Sequence, residues 1–328
     1  MNTAAEIELP ENDTAVLTVR DLVVRYDMDE ASIHAVNGVT FDLAPRETYA
    51  IVGESGCGKS TVALSLLGLT PIVGGEIVLD SARLTEMGRA EMARVRGHKI
   101  AMIFQEPMTS LNPVLTVGYQ LIEAIRLHTS MGKRAAREHA AKMLGRVGMS
   151  DAERRLRQYP HELSGGMRQR VMIAMALSCN PAVLVADEPT TALDVTVQAQ
   201  ILALIDQLRE EFGTAVVLIT HDIGVVAETA NRIAVMYAGR IVEEAPTAAL
   251  FADPRHPYTR GLLASVPRVD RVPDGQPMPT MEGSAPSMRQ LPEGCPFRAR
   301  CSHSTEKCET DPPVRVGEGR MVRCWLYE

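Results

Sequence analysis

The N-terminal third of the chain shows short apolar patterns with the period of β-strands, followed by a helical pattern. Leu17 to Tyr26 and Ile33 to Leu43 alternate between apolar and polar residues well enough to predict strands. Thr48 to Val52 is an apolar run that ends at a glycine, which indicates a buried strand. A Gly-rich turn leads into Thr61 to Leu69, a predicted helix, and further short strands follow, the last at Lys99 to Phe104.

From about residue 106 to residue 160 the chain has a helical pattern instead. Apolar residues recur there at helical spacing, with basic residues between them. We interpret the basic residues as a solvated helix face rather than as a nucleic-acid or lipid site. The apolar positions are Ala136, Ala140, Met143, Leu144 and Val147, and the basic ones are Lys133, Arg134, Arg137 and Lys142.

Strand patterns return in the second half, at Val183 to Ala186, Ala215 to Thr220 and Arg232 to Tyr237. An apolar stripe from Val197 to Phe212 predicts a helix between the first two of these strands. Strand–helix–strand alternation is typical of a mostly parallel sheet with flanking helices. Residues 266 to 294 are rich in Pro, Gly and polar residues, which predicts an extended linker.

The composition excludes several classes of protein. Lys and Arg number 34 and Asp and Glu 41, which gives a net charge of −7, and only 4% of residues are aromatic. Such a chain is a poor candidate for broad nucleic-acid binding. No apolar stretch reaches the roughly 20 residues of a spanning helix, and the acidic N-terminus lacks the apolar core of a signal peptide. We therefore expect a cytoplasmic protein whose six cysteines are thiols or metal ligands.

The segment after the buried strand matches the phosphate-binding pattern G-x-x-x-x-G-K-[ST]. Its glycines allow successive backbone N–H groups to point at phosphate oxygens, and the following helix directs its positive end at the anion. Lys59 is expected near the β- and γ-phosphates, Ser60 offers a hydroxyl to Mg²⁺, and Cys57 is interpreted as a small filler. The predicted nucleotide-binding residues of this segment are Gly53, Glu54, Ser55, Gly56, Cys57, Gly58, Lys59, Ser60 and Thr61.

Two carboxylates follow a second buried strand. Val183 to Ala186 is wholly apolar, and Asp187 and Glu188 come directly after it. In open α/β sheets, ligands bind at the carboxyl ends of the strands. Asp187 is therefore predicted to hold Mg²⁺, and Glu188 to orient and polarise an attacking water. The alternative is an Asp that only caps the next helix, and the phosphate-binding loop upstream argues against it.

A third motif points to a family. The residues from Leu163 to Arg170 read LSGGMRQR and resemble the signature motif of ABC-type ATPases. The resemblance covers about residues 15 to 265 and implies roles for other residues. Tyr26 would stack on adenine, and Gln105 would be the lid glutamine. Asp194 would lie in the dimer loop, and His221 would be the switch histidine. The signature residues would be Leu163, Ser164, Gly165, Gly166 and Met167.

Longer segments resemble the ATPase subunits of oligopeptide and dipeptide importers in particular. These segments are Gln105 to Pro113, Tyr159 to Leu163, Ala186 to Leu202 and His256 to Thr259. The resemblance implies ATP hydrolysis that powers peptide import, with nickel and glutathione import as alternatives within the same subfamily. A soluble ABC ATPase outside transport is the alternative of another class. Those proteins usually carry two ATPase domains or long coiled coils, whereas this chain has one phosphate loop and no long heptad run.

The resemblance also implies partners. Two ATPase domains would pack head to tail around two ATP molecules, so that the signature residues of one meet the γ-phosphate held by the other. The pair is often two different chains, so we expect a heterodimer with two transmembrane permease subunits and an extracytoplasmic solute-binding protein. The chain would be peripheral on the cytoplasmic face of the cell membrane. Lys59, Glu188 and His221 would be catalytic, with Mg²⁺ held through Ser60, Gln105 and Asp187.

We therefore expect an α/β fold of the ABC type, with a parallel-sheet core, an antiparallel β subdomain and a helical subdomain. The predicted divisions are a flexible tail at 1–14, an ATPase domain at 15–265 with its helical subdomain at about 106–170, and a C-terminal linker and four-cysteine extension at 266–328.

Four of the six cysteines lie in the last 34 residues, at Cys295, Cys301, Cys308 and Cys324. Four thiols this close together in a cytoplasmic protein suggest one tetrathiolate site. The intervening gaps of 5, 6 and 15 residues are looser than the paired Cys-x-x-Cys of a zinc ribbon. In importers that this chain resembles, the region can bind a [4Fe–4S] cluster. We expect iron–sulfur, with zinc, or free thiols or a disulfide, as the alternatives.

Overall fold

The computed structural model describes residues 15–28, 31–105, 110–191, 193–265 and 281–328. The predicted tail at 1–14 and residues 266–280 of the predicted linker lie outside these ranges, so the domain boundaries placed there stay predictions. The chain forms two compact units. The first consists of Met1–Leu43, Tyr49–Thr85 and Thr220–Glu328, and the second of Ala44–Thr48 and Glu86–Ile219.

Strands and helices alternate along most of the chain. In chain order they are β1 (Leu17–Met28), β2 (Ala31–Leu43), β3 (Thr48–Val52), α1 (Lys59–Leu66), β4 (Ile72–Leu79), β5 (Ala82–Arg83), α2 (Arg89–Val95), β6 (Ile100–Ile103), α3 (Val117–His128), α4 (Lys133–Arg146), α5 (Ala152–Arg155), α6 (Gly165–Leu177), β7 (Val183–Asp187), α7 (Val195–Phe212), β8 (Ala215–Thr220), α8 (Ile223–Thr229), β9 (Arg232–Tyr237), β10 (Arg240–Pro246), α9 (Thr247–Ala252), α10 (Pro257–Ala264), β11 (Val314–Gly317) and β12 (Arg320–Arg323).

The first unit contains an antiparallel sheet with the strand order β2-β1-β4-β5. Leu17, Val19, Leu22 and Val24 of β1 are buried, and the residues between them are more exposed. The alternation shifts by one residue at Asp21, whose φ of 45° lies in the left-handed region, and the register with both neighbouring strands shifts there as well. This bulge keeps the apolar side chains before and after it on one face of the sheet.

The strand before the phosphate-binding loop belongs to a second sheet of this unit. β3 pairs in parallel with β9, with Val52 opposite Val235, and β9 pairs antiparallel with β10. β12 pairs with β10 and β11 with β12, so the C-terminal hairpin extends this sheet. All five residues of β3 are buried. The end of β3, where the loop begins, is therefore held inside the core.

An aromatic cluster packs C-terminal residues into the same core. The ring centroids are 4.6 Å apart for Tyr237 and Tyr258, 5.3 Å for Tyr237 and Phe297, and 5.5 Å for Tyr258 and Phe297. All three side chains are buried, and pairs of this kind contribute about 0.5–1.5 kcal/mol beyond their burial. The segment around Phe297 is thus part of the hydrophobic core of the first unit.

The second unit contains three parallel strands in the order β8-β7-β6. Val183 of β7 lies opposite Ile100 of β6 and Ala215 of β8, and every residue of β7 and β8 is buried. Helix α7 joins β7 to β8. It begins where the Asp194 side chain accepts a hydrogen bond from the Val197 N–H, and it ends at Gly213, whose φ is 70°.

Helix α4 confirms the predicted amphipathic pattern. Its buried residues are Ala136, Ala140, Met143 and Leu144. Lys133, Arg134 and Lys142 are exposed, and Arg137 pairs with Glu153 at 2.6 Å. The basic residues therefore form a solvated face, since their charges meet water or a surface carboxylate.

Candidate nucleotide site

The loop between β3 and α1 fits only glycine at two positions. A Cβ atom added to Gly53 would lie 2.2 Å from the carbonyl oxygen of Met236. Gly58 has a φ of 108°, and a Cβ there would lie 2.2 Å from the carbonyl oxygen of Ala35. Backbone from β2 and β9 thus approaches the loop so closely that any side chain would displace it. Ser55 and Gly56, between these contacts, are exposed.

Lys59 lies inside this loop. It is 5% exposed, and its ammonium donates to the carbonyl oxygens of Gly53 at 2.8 Å and Glu54 at 2.9 Å. Ser60 and Thr61 follow it in the first turn of α1, where backbone N–H groups have no intrahelical acceptor. A buried cation and a helix start at the same place make this loop suited to a phosphate anion.

Cys57 is the buried filler that the sequence predicts. Its side chain is 5% exposed, and its carbonyl oxygen accepts a hydrogen bond from the Gly239 N–H at 2.9 Å. Burial raises the pKa of the thiol above its ordinary value, chiefly through desolvation. A thiol kept protonated in this way is a poor nucleophile.

Glu54 joins the loop to residues that sequence reasoning missed. Its N–H donates to the Tyr258 hydroxyl at 2.9 Å, and its carboxylate lies 2.9 Å from Nη1 of Arg300. Tyr258 was singled out only as part of a family-like segment, and Arg300 was not predicted at all. Glu54 and Arg300 are 246 positions apart, so no local pattern could have paired them.

Two other predicted residues lie in the first unit. Tyr26 is a half-buried residue of β1 opposite Ile33 of β2. His221 is exposed and follows β8 directly. The next residue, Asp222, caps α8 by accepting from the N–H groups of Gly224 and Val225. His221 thus lies at the end of β8, where the sequence predicts it.

The carboxylate pair lies in the second unit, at the end of β7. Asp187 is the last strand residue and is 5% exposed. The Glu188 carboxylate accepts hydrogen bonds at 2.9 Å from Gln105 Nε2 and at 2.9 Å from Thr191 Oγ1. Both donors are neutral, so they orient the carboxylate without removing its charge. The structure thus brings the predicted lid glutamine and the predicted base together.

The backbone at Glu188 is strained. Its φ is 45°, in the region that residues with a Cβ atom rarely adopt, and its N–H donates to the Ile219 carbonyl oxygen at 2.8 Å. Non-glycine residues in this region cost of order 1–3 kcal/mol and cluster at functional sites. The strain marks Glu188 as a residue whose position is held by its surroundings.

The signature residues open helix α6. Leu163 is buried, and Ser164 caps the helix by accepting from the Met167 N–H at 3.4 Å. A Cβ on Gly166 would come within 3.0 Å of Val197 in the first turn of α7, whose cap is Asp194. The starts of α6 and α7 are therefore adjacent, and this places the predicted signature and dimer loop together. Parts of two predicted segments lie outside the described residues. They are Glu106, Pro107, Met108 and Thr109 of one family-like segment and Ala192 of the predicted dimer loop.

The four C-terminal cysteines line one cavity in the first unit. Cys295, Cys301, Cys308 and Cys324 all contribute to its wall, and its volume is about 460 Å³. Burial raises the pKa of Cys295 to about 11 and raises that of Cys301 and Cys324 as well. Within the described ranges, no group of three or more His, Cys, Asp or Glu side chains is placed to hold a metal ion.

Among the described residues, no helix combines the length and the apolar character needed to span a membrane.

Comparison with known proteins agrees with this architecture. The chain has a phosphate-binding loop after one buried strand and an Asp-Glu pair after a second buried strand. Together these two features define a P-loop nucleoside triphosphatase. Residues 36–191 match the model of the ABC transporter family, and residues 242–308 match that of the oligopeptide/dipeptide transporter C-terminal region.

Relatives match over nearly the whole chain. The oligopeptide transport ATP-binding protein AppD of Bacillus subtilis is 49% identical, with 96% of this chain and 98% of AppD covered. The corresponding protein OppD of Salmonella typhimurium is 47% identical, with 98% and 96% covered. A solved dimeric ATP-binding cassette with bound ADP and phosphate is 31% identical, with a TM-score of 0.65 over 70% of this chain and 98% of that one. The chain therefore belongs to the ATP-hydrolysing subunits of the oligopeptide/dipeptide family of ABC transporters.

Proposed function

We propose that this chain binds and hydrolyses MgATP to power the import of dipeptides or oligopeptides. The observation that carries the proposal is the match to peptide transport proteins across nearly the full length, including residues 242–308. The intact loop around Lys59 and the held carboxylate of Glu188 support competence for hydrolysis. Nickel and glutathione stay alternatives only through the sequence resemblance.

In the first unit, the loop would hold the phosphates. The phosphate oxygens would be bound by backbone N–H groups between Gly53 and Ser60 and by the ammonium of Lys59. Tyr26 would stack on the adenine. Lys59 now donates to two loop carbonyls, so a phosphate would replace those acceptors. His221 is proposed to stabilise charge on the γ-phosphate during transfer.

In the second unit, the carboxylates would serve different purposes. The buried Asp187, together with Gln105 and with Ser60 of the loop, would hold Mg²⁺, since oxygen ligands suit this ion. Bound Mg²⁺ would neutralise charge on the phosphates. Glu188 is proposed as the general base, because a carboxylate oriented by two hydrogen bonds can accept a proton from water at one defined oxygen.

We also propose a head-to-tail pair of ATPase subunits. Ser164, Gly165 and Gly166 at the start of α6 would meet the nucleotide held by the other subunit, and Asp194 would lie across the interface. The exposure of Ser164, Gly165 and Asp194 in this chain supports a role at an interface. The second subunit is proposed to be a different ATPase chain. The proposed system also contains two permease subunits and an extracytoplasmic solute-binding protein. In it, this chain is attached to the cytoplasmic side of the membrane.

We propose that the four cysteines of the cavity hold an iron–sulfur cluster, as the sequence resemblance implies, with a single zinc ion as the alternative. The observation that supports a shared site is that Cys295, Cys301, Cys308 and Cys324 line one cavity of about 460 Å³. These residues would hold a [4Fe–4S] cluster, which would supply one-electron redox chemistry or a covalent link between the segments that carry the thiols.

Metal analysis of the anaerobically purified chain tests the cluster. We expect a brown protein with iron and sulfide in equal amounts, loss of both in Cys308→Ser, and retention of both in the control Cys179→Ser. A colourless protein that carries zinc would contradict the assignment.

Transport in reconstituted vesicles tests the function. The chain is combined with its neighbouring ATPase, permease and solute-binding subunits, and uptake of labelled dipeptides, oligopeptides, nickel and glutathione is measured. We expect peptide uptake that needs MgATP and is lost in Lys59→Ala. ATP-dependent uptake of nickel or glutathione alone would favour an alternative solute, and ATP binding unaffected by Lys59→Ala would overturn the nucleotide site.

A further inference from the structure

A chain of contacts within the first unit connects the four-cysteine segment to the phosphate-binding loop. Nη1 of Arg300 lies 2.9 Å from Oε2 of Glu54 and 3.4 Å from the Tyr237 hydroxyl. The side chains of the ion pair are only 8% exposed at Arg300 and 27% at Glu54. An ion pair with so little water around it is screened far less by salt than one on the surface.

The main chain of Glu54 is held from another direction. Its N–H donates to the Tyr258 hydroxyl at 2.9 Å, and the Tyr258 ring packs on Tyr237. The Glu54 carbonyl oxygen in turn accepts from the Lys59 ammonium at 2.9 Å. The position of Glu54 therefore sets the curve of the loop, and its carbonyl oxygen is one of the two acceptors that a phosphate would replace at Lys59.

Arg300 is itself fixed by the cysteine-bearing segment. It ends a short 3-10 turn, Arg298–Arg300, that lies between Cys295 and Cys301. The Arg298 N–H donates to the Cys295 carbonyl oxygen at 3.1 Å, and the Cys301 N–H donates to the Arg298 carbonyl oxygen at 3.3 Å. The Arg300 Nε also donates to the Glu282 carbonyl oxygen at 3.1 Å. Arg300 thus joins a turn bounded by two cysteines to the loop.

We propose that Arg300 is a positioning residue for nucleotide binding. It holds the Glu54 carboxylate and thereby keeps the curve of the loop backbone, whose N–H groups would receive the phosphates. The inference rests on the proposed nucleotide site and deepens it, since it gives the segment around Cys295 and Cys301 a part in ATP binding. Arg300 would act through Glu54 and would not touch the nucleotide.

Nucleotide titration of the full-length chain tests this role. The dissociation constants of MgATP and MgADP are measured for Arg300→Met, Arg300→Lys and, as a control, Arg289→Met, with circular dichroism to verify folding. Arg289 is an exposed arginine of the same C-terminal segment. Because a buried charged hydrogen bond is lost, we expect Arg300→Met to weaken binding by about tenfold. Arg300→Lys should restore most of the affinity, and Arg289→Met should stay within about twofold of the wild-type value.

A double-mutant cycle makes the test specific to the pair. If Arg300 acts through Glu54, then Glu54→Gln and Arg300→Met weaken binding by similar factors, and the double variant binds about as weakly as either single variant. Multiplication of the two single effects would show that the residues act separately and would overturn the proposal. Should Arg300→Met fail to fold, Glu54→Gln tests the pair by itself: it should weaken binding by about tenfold, and wild-type affinity in a folded Glu54→Gln would overturn the proposal.

Lys59→Ala separates this inference from the proposed function. Loss of binding in Lys59→Ala together with wild-type affinity in a folded Arg300→Met would overturn the role of Arg300 and leave the nucleotide site intact. Wild-type affinity in Lys59→Ala would overturn the nucleotide site itself. In the assembled transporter, Arg300→Met should raise KM for ATP by about tenfold and change kcat by less than about twofold, as expected when binding rather than chemistry is affected.

Discussion

At the scale of single residues, the groups proposed to do chemistry are held by neighbouring groups that have no proposed role in the reaction. Glu188 has a strained backbone and a carboxylate held by Gln105 and Thr191. Lys59 is buried inside a loop closed by glycines that admit no side chain. Both side chains have little conformational freedom, because side chains hold the Glu188 carboxylate and loop carbonyls hold the Lys59 ammonium. Groups that are fixed in this way lose little entropy when a substrate binds.

The first prediction concerns Glu188. Replacing it by glutamine keeps the shape and the two neighbouring donors but removes the base, so kcat for ATP hydrolysis should fall by about 10²–10⁴-fold, while the dissociation constant of MgATP changes little. Phosphate release by the assembled transporter and nucleotide titration measure the two quantities. Hydrolysis at the wild-type rate would show that another group accepts the proton.

A second prediction concerns pH and the buried His256. Its side chain is 2% exposed and caps α10 by accepting from the Tyr258 N–H, and burial lowers its pKa to about 3. The ordinary pKa of histidine is about 6.5. At a pH between these two pKa values, the unfolded chain binds a proton at His256 that the folded chain does not bind. Stability should therefore fall as pH drops below about 6.5.

His256→Asn tests this, since asparagine can cap a helix without titrating. The free energy of unfolding, measured by denaturant at several pH values from 6.5 down to 4.5, should depend on pH less steeply in the variant, by up to about 1.4 kcal/mol per pH unit. Parallel curves for the two proteins would show that folding does not lower the pKa of His256.

At the scale of elements, the C-terminal hairpin is a structural part of the ATPase core. β12 pairs with β10, and Arg320 pairs with Glu243, which is fully buried and accepts from the N–H groups of Arg255 and His256. One carboxylate thus ties the hairpin to the start of α10. The hairpin also covers β10, which would otherwise be an open sheet edge.

Two valines of the hairpin give the third prediction. Val322 on β12 is 2% exposed and Val316 on β11 is 45% exposed. Val322→Ala should lower the free energy of unfolding by about 1–3 kcal/mol, and Val316→Ala by less than about 0.5 kcal/mol. Equal effects in a denaturant titration would show that the hairpin does not pack as described.

The sequence predicts those elements that a short contiguous pattern of residues defines. β3, β8 and β9 have the predicted bounds because a short apolar run defines a buried strand. The hairpin β11–β12 was not predicted, since each of its strands has only four residues and its partner strand β10 is distant in sequence. The phosphate-binding loop, the carboxylate pair and the signature were found because each is a contiguous motif. The contacts of Glu54 were missed because they depend on tertiary packing.

At the scale of the whole molecule, the family assignment explains features that would be odd in an independent enzyme. Ser164 and Gly165 of the predicted signature and Asp194 of the predicted dimer loop are exposed at two adjacent helix starts. The partner that we propose for these residues is a second ATPase subunit. The chain therefore carries half of each of two proposed catalytic sites.

The fourth prediction follows from this dependence on partners. When the chain is expressed with its permease subunits, it should sediment with membranes and resist a high-salt wash, and without them it should be recovered apart from the membrane fraction. Immunoblots of the two fractions measure the difference. Equal recovery in membranes with and without the permeases would point to direct lipid binding instead.

The ion pair between Glu54 and Arg300 has a consequence for recombination between relatives. Its two members lie 246 positions apart, one in the ATPase motif and one in the C-terminal segment. A hybrid that receives residues 281–328 from another transporter would inherit a new partner for Glu54. Such chimeras should keep most of their nucleotide affinity when the donor has arginine or lysine at position 300 and should bind about tenfold more weakly otherwise, as titration with MgATP would measure.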